Sequence, residues 1–360
     1  MSPVAPITPF DRCRRLARQQ GSSLVELMIG MVISLLLIGG MVTLFINNKQ
    51  TYRYNEELAR IQENGRFAIE FLQRNFRHAG HLGCAYMSPE DQEGYGGVFP
   101  KTTAILPSID FSQSSAISAY VHPPTGTDVV ASYGQAGVNG TEVITIIFGS
   151  GASAALTTPA AKGDPLIIDS NALGFRQGEA LIISDCNKAD IFRVSNVPAA
   201  GNNVTIEHKA AAIYNSSDDL DNGKSYGTDA RVMRLQSQSF YLAASARVNR
   251  QGQPIQSLYV NGGEMIEGVV AMRTMFGVPA AAGTPGQTSR VVTNYIPITA
   301  MTADDWANVI AIQFELLLAS PDDNAVSEPM PITFNGVTTT AQDRRMYSTV
   351  STTIALRNRF

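Results

Sequence analysis

The sequence predicts an α+β protein in which one long N-terminal helix, membrane-spanning and then amphipathic, packs on a large β-rich domain. Three observations predict it. Leu27 to Ile46 is a run of 20 residues without a charge. Apolar residues then recur every three or four positions as far as Ala79, the period of one helix face. Beyond Gly80, short apolar runs alternate with proline, glycine and small polar residues, the punctuation of strands and turns. The chain thus divides into a basic leader (1–21), a spanning helix (22–46), its amphipathic continuation (47–79) and a β-rich head (80–360).

The leader sets Arg12, Arg14, Arg15 and Arg18 against Asp11 alone, so the positive-inside rule keeps the N-terminus in the cytoplasm and sends the rest outward. At a rise of about 1.5 Å per residue the uncharged run reaches roughly 30 Å, enough to cross a hydrocarbon core. A secretory signal carries its small-residue cleavage site after a shorter apolar stretch. Here Gly21 comes before that stretch, so a cut after it leaves the helix on the mature protein.

One carboxylate, Glu26, lies in the first turn of this helix, with Leu24, Val25 and Leu27 around it. A carboxylate in hydrocarbon is costly without a partner. The unpaired amides and positive dipole end of the helix N-terminus are one such partner. The new amine of Ser22, its own or a neighbouring subunit's, is a second, and water at the headgroup boundary is the alternative to both.

Gly21, Ser22 and Glu26, followed by the apolar run, resemble the signature of the type IV prepilin superfamily. The resemblance implies a pilin-like fold, cleavage after Gly21 by the membrane prepilin peptidase, and N-methylation of Ser22, which stands where the family usually has Phe. It also implies that the apolar helix packs among neighbours in a filament core. Gly39 and Gly40, and the small pair Gly30 and Ser34, suit close helix approach.

Past the membrane, Leu58, Ile61, Gly65, Ala68, Leu72, Asn75 and Ala79, widened by Phe71 and Phe76, form an apolar stripe. Glu56, Glu57, Arg60, Glu63, Arg66, Glu70 and Arg74 fill the other faces, and Glu56 to Arg60 and Glu70 to Arg74 have the favourable i,i+4 order. A helix from Ser22 to Arg77 would reach roughly 80 Å, so its distal half has to pack on the head.

Gly80 and Gly83 end the helical pattern. Cys13 is expected to leave with the leader, which puts Cys84 and Cys186 alone in an exported domain. One disulfide is the simplest reading in an oxidising compartment, and two buried free thiols are the alternative. Strands are expected at Glu142–Phe148, Pro165–Asp169, Glu179–Ser184, Asp190–Val194, Asn203–Glu207, Phe240–Ala244 and Val350–Leu356. A helical turn opens at Thr302 with Asp304 and Asp305, and the alternation of Val309 to Leu318 then reads as a strand. The Gly, Ala, Ser and Thr-rich stretch from Gly149 to Gly163 reads as an exposed loop.

Composition argues against catalysis. The four histidines are His78, His81, His122 and His208, and the i,i+3 pair His78 and His81 has no third ligand beside it. No nucleophile elbow, phosphate-binding glycine loop or redox CxxC is present. Asp218, Asp219, Asp221, Asn222 and Gly223 lack the EF-hand spacing and read as a solvated turn. No metal or other cofactor is expected. Loss of the leader leaves 23 basic against 30 acidic residues, a formal charge of −7, which does not suit general nucleic-acid binding. Arg344, Arg345, Arg357 and Arg359 are a local basic cluster near the C-terminus.

Five further segments resemble PilW-type minor pilins: Lys49 to Cys84, Ile183 to Val194, Leu235 to Ala243, Glu267 to Val278 and Ile354 to Arg359. The resemblance implies a non-enzymatic minor pilin that takes part in initiating pilus assembly, with Glu26 guiding subunit registration. Its implied partners are other minor pilins and the major pilin, the prepilin peptidase, the inner-membrane assembly platform, and the lipid bilayer before assembly. The implied location is the bacterial inner membrane with a periplasmic head, then the pilus. A type II secretion pseudopilin, and a tip-located adhesin or DNA-uptake pilin, are the other readings.

Overall fold

The computed structural model describes residues 23–83, 98–100, 116–123, 128–186, 188–211, 214–220, 225–279, 291–302, 305–306 and 308–359. The chain divides into two compact units, Met1–Arg53 and Tyr54–Phe360. Helix α1 (Leu24–Phe76) starts in the first and ends in the second. In the first unit every residue from Ser23 to Tyr52 is exposed, including the whole apolar run, so in water this surface has no cover. The helix is long and apolar enough to cross a membrane.

In the second unit α1 buries Ile61, Gly65, Ala68, Leu72 and Phe76, one stripe at helical spacing. Phe76 lies between Phe240 and Phe314, each with its ring centroid 4.7 Å away. Burial of such a ring contributes roughly 2–3 kcal/mol. Of the two expected i,i+4 pairs, Glu70 and Arg74 meet at 2.9 Å. Arg60 instead reaches Glu267 at 3.3 Å, because a carboxylate on the facing strand is nearer the head than Glu56 is.

The head contains strands β1 (Val98–Pro100), β2 (Ile117–Val121), β3 (Glu142–Ala155), β4 (Leu166–Ser170), β5 (Ala180–Ser184), β6 (Ala189–Arg193), β7 (Asn202–Ile206) and β8 (Arg231–Val248). They are followed by β9 (Pro254–Val260), β10 (Gly263–Glu267), β11 (Val269–Pro279), β12 (Val292–Pro297), β13 (Ala311–Ala319), β14 (Pro331–Phe334), β15 (Val337–Thr340) and β16 (Tyr347–Ala355). One sheet has the order β1-β6-β5-β8-β3-β2, with β9 on β8 and β10 on β9. A second has the order β12-β11-β13-β16, and β4-β7 and β14-β15 are separate pairs. The long strand β8 pairs with β3 through Ile144↔Phe240, with β5 through Ile182↔Met233, and with β9 through Leu242↔Leu258.

Two packed layers explain the strand sequences. In β5, Ile182 faces the main core with Phe76 and Phe240, while Leu181 and Ile183 face a second core capped by Ile168 and Ile206 of β4 and β7. A strand covered on both sides reads as a continuous apolar run. In β13, Ile312, Phe314, Leu316 and Leu318 are buried, while Gln313 is exposed and Glu315 half-buried, the alternation of a strand with one covered face.

Several expectations change. The stretch from Gly149 to Gly163 is not a loop: β3 continues to Ala155 past a register shift, and Leu156 and Ala160 bridge to Ile168 and Tyr226. Ala154, Leu156 and Ala160 are buried, while residues 151–153, 157–159 and 161–162 are exposed, so the stretch is an ordered but largely exposed strand end. Strands β1, β2, β9, β10, β11, β12, β14 and β15 were not anticipated, because they are short or because polar and glycine residues interrupt their alternation. Arg344 and Arg345 precede β16 while Arg357 follows it, so the strand holds the basic cluster apart. At the late helical turn, Thr302 Oγ1 accepts the Asp305 N–H at 3.3 Å and donates to Asp305 Oδ2 at 2.6 Å. Asp304 lies outside the described residues. In the acidic turn Asp219 pairs with Lys162 at 2.8 Å and Asp218 accepts the Ala210 N–H. Asp221, Asn222 and Gly223 lie outside the described residues.

Candidate assembly sites

Helix α1 begins with a cap that the serine and glutamate at this spacing encode. Ser23 Oγ accepts the Glu26 N–H at 3.2 Å, and the Ser23 carbonyl accepts the Leu27 N–H at 3.2 Å. Ser23 is therefore the N-cap and Glu26 the third helical residue, the S-x-x-E spacing of a capping box. Ser23 was missed in the sequence, although this spacing was its signal. Glu26 projects from the first turn into an exposed apolar surface, and its carboxylate makes no hydrogen bond or ion pair with any described residue. Gly21 and Ser22, the expected processing and methylation positions, lie outside the described residues.

Along the same unit Gly30, Gly39 and Gly40 have open space where a Cβ would stand. The local polar side chains turn back on the helix: Ser34 Oγ donates to the Gly30 carbonyl at 2.7 Å and Thr43 Oγ1 to that of Gly39 at 2.9 Å. Both hydroxyls are thus satisfied within the helix, leaving a surface of small and aliphatic groups suited to lipid or to another helix.

In the head, the far end of α1 is tied down by backbone and amide contacts. Gly80, in a left-handed conformation at φ 72°, donates its N–H to the Ile147 carbonyl at 2.8 Å. Asn358 Nδ2 lies 3.2 Å from both the Arg77 and Ala79 carbonyls. Gln73 Nε2 donates to Thr352 Oγ1 at 2.8 Å, and Asn64 Nδ2 to the Glu267 carbonyl at 3.2 Å. None of these long-range amide contacts is legible from periodicity.

Of the two head cysteines, Cys186 is disulfide-bonded and Cys84 lies outside the described residues. The residue before Cys84 is against the strand that leads to Cys186: a Cβ on Gly83 would stand 3.2 Å from Ser184 Oγ. Among the described residues no group of three His, Cys, Asp or Glu side chains is placed to hold a metal. The His78 ring lies tilted beside Phe148, at 6.2 Å between ring centroids. Burial and the neighbouring His78 lower the pKa of His81, and burial lowers that of His208, whose Nε2 faces the Asp164 carbonyl at 2.9 Å.

A family model described as Type IV Pilus-assembly protein W matches residues 236–358, and one described as Prokaryotic N-terminal methylation motif matches residues 16–42. The second match spans Gly21, Ser22 and Glu26; the first runs from β8 through β16. No curated protein and no solved structure matches the chain.

Proposed function

We propose that the chain, which matches a prepilin N-terminal methylation motif and, over its C-terminal region, a PilW-type family model, is a type IV minor pilin that acts in the initiation of pilus assembly. Both matching families are structural components of pilus assembly rather than enzymes. A prepilin motif implies interaction with other pilins and with the prepilin peptidase.

The proposal has the peptidase cut between Gly21 and Ser22, with methylation of the new Ser22 amine. The head then stands in the periplasm on a helix held in the inner membrane, and the disulfide joins Cys84 to Cys186. Lateral association of apolar helices follows, with Glu26 registering against the amine of an adjacent subunit before the assembly platform extracts the complex.

One observation carries this reading. Glu26 is a carboxylate on an otherwise apolar, exposed helix surface, and no described residue of its own chain pairs with it. In a bilayer such a group is stabilised by a cation from outside the helix, and a neighbouring N-terminal amine has the right sign and depth.

The test is a deletion in the native host, in a strain that cannot retract pili, complemented with wild type or Glu26→Ala. Pilus yield and type II secretion are scored together. Loss of pili with intact secretion, restored by wild type and not by Glu26→Ala, is the expected result. Intact pili with failed secretion would move the protein to the pseudopilins.

A further inference from the structure

We propose that a cationic groove at the distal end of α1 docks an acidic peptide segment of a neighbouring pilus subunit. The identity of the partner rests on the minor-pilin reading; the chemistry of the groove does not.

The groove has a volume of about 820 Å³, within the roughly 300–1,000 Å³ typical of ligand clefts. Its cations come from two distant parts of the chain: Arg74 and Arg77 from the end of α1, and Arg357 from just after β16. Phe148 and the exposed backbone of Gly151 form the β3 side. Among the described lining residues the one carboxylate, Glu70, is paired with Arg74 at 2.9 Å. Arg77 and Arg357 make no ion pair with any described residue, so the described lining carries an excess of two positive charges.

That excess runs against the rest of the molecule. Residues 22–360 carry a formal charge of −7. Cations at a helix C-terminus offset its dipole, which accounts for Arg74 and Arg77. It does not account for Arg357, which the second sheet delivers to the same groove. Guanidinium groups present planar forks that match carboxylates in pairs.

The groove suits a short anionic segment rather than a nucleic acid. Nucleic-acid affinity grows with the number of phosphates tracked along an extended surface. Here two unpaired guanidiniums occupy one cleft in an acidic head whose field repels a polyanion. Phe148, beside the His78 ring, adds an apolar wall for the stem of a Glu or a flanking apolar side chain.

The experiment uses the full-length protein in detergent micelles and a fluorescein-labelled hexapeptide of alternating Glu and Gly, followed by anisotropy. The variants are Arg77→Gln combined with Arg357→Gln, and Gly151→Glu. The latter adds a carboxylate where a Cβ has open space, removing no contact. Expected are saturable binding by wild type, at least about tenfold weaker binding by both variants, with the melting temperature unchanged in Gly151→Glu, and weakening with salt. Absence of saturable binding, variants that bind like wild type, or tighter binding of a single-stranded DNA dodecamer would each overturn the proposal. In the deletion strain, full pilus yield from the Arg77→Gln/Arg357→Gln variant would also overturn it, while leaving the minor-pilin reading intact. Full pilus yield from the deletion itself would defeat the minor-pilin reading instead.

Discussion

Gly65 of α1 faces Val350 of β16 so closely that a Cβ on the glycine would stand 3.0 Å from Val350 Cγ1. The helix can lie this near the second sheet only because the side chain is missing at this point of its buried stripe. Glycine in a helix interior costs roughly 0.5–1 kcal/mol relative to alanine, and here that cost is offset by close packing.

Gly65→Ala is therefore expected to change stability by less than about 1 kcal/mol, because helix propensity and crowding oppose one another. Gly65→Leu should cost roughly 2–4 kcal/mol, since Val350 and Leu318 both lie within 4 Å of the new Cβ. Thermal unfolding of a double-mutant cycle checks the cause. Val350→Ala should recover part of the Gly65→Leu loss, and strict additivity would show that the two residues are uncoupled.

Glu142 is a buried carboxyl whose Oε2 accepts the hydroxyl of Thr274, joining β3 to β11. Burial pushes its pKa up to about 7, against the lowering effects of Thr274 and Arg273. The folded state thus holds a proton that the unfolded chain releases near 4.5. The stabilisation is fully present below pH 4.5 and is lost as pH rises through about 7. Glu142→Gln should gain on the order of 2–3 kcal/mol over wild type at pH 8 and little at pH 4. Denaturant titrations at both pH values decide it, and an equal difference at the two would contradict the assignment.

Asn358 serves two carbonyls at the distal end of α1, those of Arg77 and Ala79. Such carbonyls have no intrahelical partner. Asn358→Ala should cost about 1–2 kcal/mol and speed amide exchange in the last turn of α1 and the following residues. Unchanged exchange there would mean that water replaces the amide without loss.

Cys186 is disulfide-bonded, and non-reducing peptide mapping of exported protein is expected to recover its peptide linked to that of Cys84. Cys186→Ser should then lower stability by roughly 2–4 kcal/mol. A free Cys84 thiol in the mature protein would contradict the pairing.

Much of this architecture was legible in the chain because it follows from short-range periodicity. The buried stripe Ile61, Gly65, Ala68, Leu72 and Phe76 repeats at helical spacing, and the alternation around Phe314 marks a strand. The charge-free run after Glu26 marks a helix long and apolar enough to cross a membrane before any fold is known. β11 and the bulged end of β3 were not legible, since glycines and polar side chains interrupt their pattern and only cross-strand partners make them strands.

The sequence by itself thus determined the long helix, its exposed apolar half, the β-rich character of the head and the lone carboxylate near the N-terminus, because each is a local property of neighbouring residues. Tertiary structure alone decided which distant groups meet. It set Phe76 between Phe240 and Phe314, turned Arg60 from Glu56 to Glu267, and brought Arg357 to the groove of Arg74 and Arg77 while β16 kept Arg344 and Arg345 away. Those encounters depend on sheet order and strand register, which no local pattern of residues encodes.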